Sequence, residues 1–152
     1  MKIAETTWEP QNRLISTQIS GVLDEKDVDT WQRSLEEALA KVEANSQFKI
    51  FVNLHGFKAA NLEVHKKFRV IIPLTLAKYG WRVGYLDMFP EAKVDLEYRR
   101  GIRCVAAVHV HQDETKIANY QTNYSRPNEH YYIDPMVGET WIRNYQIENN
   151  SL

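Results

Sequence analysis

A chain of 152 residues, 43% hydrophobic and 26% charged, is expected to fold as a single soluble domain spanning residues 1–152. Its net charge of −1 gives no field toward nucleic acid or an anionic membrane, and the clusters Lys66-Lys67-Arg69 and Arg99-Arg100-Arg103 read as solvated helix faces or ends, so no nucleic-acid partner is expected. One cysteine excludes an internal disulfide, no apolar run approaches the ~18–20 residues of a membrane span, and Met1–Glu5 has no signal-peptide core, so a cytoplasmic protein is expected.

Met1 to Trp8 reads as a strand, Glu9-Pro10-Gln11-Asn12 as a turn and Arg13 to Val22 as a second strand. Asp24 is placed to cap a helix whose buried face is Val28, Trp31, Leu35, Ala38, Leu39 and Val42, with Asn45-Ser46 ending it. Phe48 to Leu54 is an apolar strand closed by His55-Gly56. A second helix is expected from Asn61 to Tyr79, with Gly80 as its C-terminal cap. Pro73 removes one of its hydrogen bonds and should kink or split it near Ile72. Trp81 to Met88 reads as a strand, and Pro90 opens a short helix that Gly101 stops.

From Arg103 to His111 runs another strand, apolar from Cys104 to Val110 and ending in His111, Gln112 and Asp113. A run apolar on both faces suits a strand covered on both sides, as in a parallel sheet. Asp113 caps a helix carrying Ile117, Tyr120 and Tyr124; Ser125 to Asn128 is a turn and Tyr131 to Ile133 a short strand. Asp134-Pro135 starts the last helix, which is expected to bury Val137, Trp141 and Tyr145. The order ββαβαβαβαβα implies an α/β fold with a mixed, mostly parallel sheet and helices packed against it.

Ser20-Gly21-Val22-Leu23-Asp24 before the Trp31 helix, Lys49 to Leu54 as the central strand, Cys104 to Val108, and Tyr132-Ile133-Asp134-Pro135 with Trp141-Ile142 form a pattern. It resembles the STAS fold (sulfate-transporter and anti-sigma-antagonist domains), especially its SpoIIAA-like branch. The resemblance covers most of the chain and implies a non-enzymatic regulatory or ligand-sensing module. Where the phosphoswitch branch carries Asp-Ser-(Ser/Thr)-Gly, this chain reads Phe57-Lys58-Ala59-Ala60-Asn61-Leu62-Glu63, with no hydroxyl. Neither phosphoswitching nor an anti-sigma partner carries over. The SpoIIAA-like branch suggests roles with a hydrophobic ligand or at a membrane surface.

Two sets of residues stand out. His55, Asp87, His111 and Asp113 lie at or near expected strand ends, which converge at one edge of a parallel sheet, where open α/β sheets bind ligands. His109 and His111 share a strand face, and His109 is expected as a core histidine bonded to backbone. Such groups suit metal binding or acid–base work, but no His-Glu-x-x-His, Cys-x-x-Cys, Gly-x-Ser-x-Gly or phosphate loop accompanies them; no cofactor, no metal and no enzyme activity are expected. The second set is Phe68, Ile71, Ile72, Pro73 and Leu76, on a helix with more apolar surface than one buried stripe requires. It is expected to meet a second copy in a homodimer, another protein, or a small apolar, lipid-like ligand. Self-association through this helix leads, a carrier or sensor of an apolar ligand comes second, and a metal-assisted enzyme at the strand-end histidines third.

Overall fold

The computed structural model describes residues 1–148. Two antiparallel strands, β1 (Ile3–Glu9) and β2 (Leu14–Leu23), open the fold and are joined by the 3₁₀ turn Pro10–Asn12. Helix α1 (Glu25–Ala40) leads to β3 (Gln47–Asn53) and the short β4 (Phe57–Ala59). Two short helices, α2 (Leu62–Arg69) and α3 (Ile71–Ala77), then an irregular segment, lead to β5 (Arg103–Val110). Helix α4 (Glu114–Tyr124), β6 (Glu129–Tyr132) and α5 (Pro135–Asn144) complete it. The six-stranded sheet runs β1-β2-β3-β5-β6, with β4 also on β2; every pairing except β1–β2 is parallel.

Alternation along the strands sorts side chains to two faces. Ile15 and Ile19 of β2, Phe48, Ile50 and Val52 of β3, and Ala107 of β5 pack under α1, α2 and α3. Leu14, Phe51, Ala106, Val108 and Val110 face the other way and pack with Ile142 of α5. The β3–β5 register shifts between Phe48 and Lys49, where Val105 is the extra residue; this keeps both Cys104 and Ala107 in the first layer. Asp24 caps α1 in a reciprocal box with Asp27, at 2.9 Å each way. Trp31 is fully buried, and its Nε1 donates to Thr17 Oγ1 at 2.7 Å.

Three stretches depart from the expected order. The Pro73 helix is split, but at Val70, which puts Pro73 in the first turn of α3, where its missing N–H costs nothing. Residues 81–88 form no strand, although β6 ends the sheet with an open edge; the Glu129 carboxylate of β6 accepts from Trp81 Nε1 and Gly84 N. The segment instead turns through Leu86–Met88 and buries Trp81, Val83 and Leu86. The helix expected from Pro90 is also absent; Ala92, Val94, Leu96 and Tyr98 alternate with polar residues, a period-2 pattern that a helix cannot bury. Tyr79 bridges to Tyr98, and Gly80, at φ 74, turns the chain against the Tyr98 ring. No helix of the described residues is long and apolar enough to cross a membrane.

Candidate functional site

The parallel strands deliver β3 and β5 to the same edge. Leu54 N donates to Val110 O at 2.8 Å, and Gln112 clamps the following turn, accepting from Gly56 N and donating to Phe57 O, both at 3.0 Å. Three of the four polar strand-end residues gather here. His111 leaves β5 and accepts from Asp113 N on its Nδ1 at 3.0 Å, which requires Nε2 to carry the proton of the neutral ring. Asp113 then caps α4 by accepting from Lys116 N. His55 is exposed, and its charge is felt at His111. Asp87 does not join them; it lies on the Leu86–Met88 turn and pairs with Arg82 at 2.7 Å in the open.

Behind this edge lies a pocket with a free volume of about 50 Å³, between α2, the Tyr85–Phe89 segment and the start of α4. Leu54, Phe68, Ile72, Tyr85, Phe89 and Tyr120 supply its apolar wall, and His109 and Tyr131 lie on the sheet beneath. His65, Arg69, His111 and Lys116 bring positive or protonatable groups to it. Burial and the Lys116 charge pull His111 down to about 4, and burial with Lys116 and Arg69 lowers His65, so both rings are neutral at pH 7. Lys116 is lowered too, by burial, partly offset by Asp113; its Nζ lies 5.6 Å from the Tyr120 ring centre and makes no ion pair with a described residue. Arg69 pairs with Glu91 and lies over Phe89. Its Nε is nonetheless buried without a partner, as is the hydroxyl of Tyr131, a residue only 2% exposed. Both residues belong to the pocket lining, but each orphan atom is itself inaccessible, and the Tyr131 hydroxyl lies on the Gly84 side near Glu129 Oε1.

Beneath the pocket is a buried charge network. Glu129, completely buried on β6, sits next to His109 because β5 and β6 pair Ala107 with Glu129 and His109 with Tyr131. Its carboxylate accepts from His109 Nε2 (2.8 Å), Trp81 Nε1 (3.3 Å) and Gly84 N (2.9 Å), and pairs with Arg126. Burial pushes the Glu129 carboxyl up, but His109 and Arg126 outweigh it and leave it below its ordinary value. His109 is thus buried as expected, but held by a carboxylate rather than by backbone. Tyr131 stacks on its ring, centroids 4.9 Å apart. Burial, foremost, and the nearby Glu129 charge raise the phenols of Tyr85 and Tyr131 far above their usual range.

The second set of expected site residues is placed differently. Phe68, Ile71, Ile72, Pro73 and Leu76 are all buried within their own chain. They pack into the chain's own core, which accounts for apolar residues on more than one side of this helix pair. Leu62, at 63%, and Leu74, at 38%, are the exposed apolar side chains of the helix pair. Phe68 and Ile72 do reach the pocket wall, so they keep a place beside a ligand. Met136 and Val137 on α5 are exposed; Val137, expected in the core, faces solvent, and Ile142 is the apolar side chain of α5 that is buried instead. Among the described residues no three His, Cys, Asp or Glu side chains are grouped to hold a metal ion. Cys104 is buried, and burial raises its thiol well above the usual value.

Sequence reasoning missed Arg69, Tyr85, Lys116 and Glu129 as site residues. Lys116 had a visible signal: it lies three residues after the Asp113 cap, in the first turn of a helix that starts at a strand exit. Glu129 had only a weak one, an acidic residue alternating with Tyr131 on a strand, since its partner His109 is set by long-range register. Comparisons of the chain with protein-family models, curated proteins and solved structures give no match.

Proposed function

We propose that this chain is a STAS-like binding module that takes up a small molecule in the pocket at the exits of β3 and β5 and acts as its sensor or carrier in the cytoplasm. The observation that carries this reading is the small aromatic pocket at the strand exits, whose lining brings Arg69, His111 and Lys116 together over a wall of Phe68, Tyr85 and Tyr120. The rigid floor supports it: His109, stacked on Tyr131 and tied to Glu129, cannot move aside. The free volume favours a ligand of a few heavy atoms over a lipid chain. The alternative of self-association through the Pro73 helix has its five named residues in the core, and the metal-assisted enzyme has no ligand set among the described residues.

Saturation-transfer NMR with a mixture of fragments of four to eight heavy atoms tests the reading. Binding by the native protein and its loss in His65→Trp, which places a bulky ring at the half-buried rim of the pocket, is the expected result. Equal signals from both proteins, or none from either, would refute it.

A further inference from the structure

Resting on the binding reading above, we infer that the pocket selects a short monocarboxylate: a compact apolar body of three or four carbons with its acid group on Lys116, Arg69 and His111. The wall supplies the apolar half. Phe68, Ile72, Tyr85 and Tyr120 enclose space for only a few atoms. All the unsatisfied polar capacity toward anions consists of donors. Arg69 Nε is buried and unused. Lys116 brings an ammonium that pairs with no described carboxylate. His111 has its Nδ1 occupied by Asp113 N, which leaves Nε2–H as a donor.

The acidic groups nearby are committed elsewhere. Glu129 is engaged by four partners beneath the floor, Glu91 pairs with Arg69 from outside, and Asp113 caps α4. Glu91 balances Arg69, and Lys116 lies in the field of the Asp113 carboxylate, so a singly charged anion meets less repulsion here than a phosphate dianion. A carboxylate also offers acceptor lone pairs on two oxygens, enough to meet the three donors, and a charge-assisted hydrogen bond in a water-poor site is stronger than a neutral one.

The test compares isobutyrate with isobutyramide, its neutral isostere, by ¹H–¹⁵N NMR titration at pH 7. Isobutyrate should shift the amides of His111, Lys116 and Tyr120 saturably, about ten- to a hundredfold more tightly than isobutyramide. Lys116→Met should remove that preference while leaving the two ligands with similar weak binding; Lys116→Arg should restore it. Lys116 is half-buried at the rim, and a dispersed spectrum of the Met variant checks that it folds. Equal affinity of the native protein for both ligands would overturn the acid preference and leave the binding reading intact. Preference for isobutyrate that survives Lys116→Met would overturn the assigned charge. Absence of binding by both compounds overturns this inference; if the wider fragment mixture also gives none, the binding reading falls with it.

Discussion

Glu129→Ala is the most severe single perturbation the structure offers outside the apolar core. The carboxylate is completely buried and is the acceptor for Trp81 Nε1, Gly84 N and His109 Nε2. Each buried donor left without an acceptor costs about 1–3 kcal/mol, so three give roughly 3–9 kcal/mol before relaxation. Arg126 adds little, because it is partly exposed and rehydrates. Water entering the vacated space and reorientation of the His109 ring recover part of the loss, bringing the expected figure to about 3–5 kcal/mol, as for other broken buried networks. For a domain of this size about 2–4 °C of melting temperature accompanies each kcal/mol, so a fall of roughly 10–15 °C is expected. Urea unfolding followed by tryptophan fluorescence measures it, with Trp81 as a local reporter. Glu129→Gln retains one acceptor and should lose less. A loss below about 1 kcal/mol in Glu129→Ala would refute the claim that this network fixes the floor of the pocket.

Asp24→Ala removes the capping box of α1 and should cost about 1 kcal/mol in urea unfolding; an unchanged midpoint would show the cap to be dispensable. His111 should titrate near pH 4 by NMR rather than at the ordinary 6.5, facing the charges of Lys116, Asp113, His55 and His65. Because its folded value is depressed, the unfolded chain binds the extra proton first as the medium is acidified. The stability it contributes is complete above about pH 6.5 and is lost as pH falls toward 4, about 1–2 kcal/mol after discounting for solvent screening. His111→Asn should flatten the stability profile across that window, and a native midpoint at 6 or above would contradict the burial argument.

Local signals in the sequence were reliable wherever local physics decides the structure. Asp24, Asp113 and Asp134-Pro135 mark helix starts because capping involves only neighbouring residues, and all three helices begin there. The apolar runs at Phe48–Leu54 and Cys104–Val110 became the two central parallel strands because burial on both faces demands such composition. The failures came where partners are distant. Trp81 to Met88 has the composition of a strand, but a distant group claims its donors: the buried Glu129 carboxylate accepts from Trp81 Nε1 and Gly84 N. The apolar excess around Pro73 looked like exposed surface; Phe68, Ile71, Ile72 and Leu76 are buried in the chain's own core. The gathering of His55, His111 and Asp113 was legible from the parallel strand exits. Glu129 beneath them was not, since only the register of β6 brings it to His109.

The central claim is that recognition occurs at the strand exits. Mapping amide shifts over the whole chain on titration with the fragments that bind tests it most directly. The account requires the largest changes at His65, Arg69, His111, Lys116 and Tyr120, with α5 and the β1–β2 hairpin unmoved. Saturable shifts concentrated on Met136, Val137 and Trp141 of α5, with the pocket silent, would contradict it.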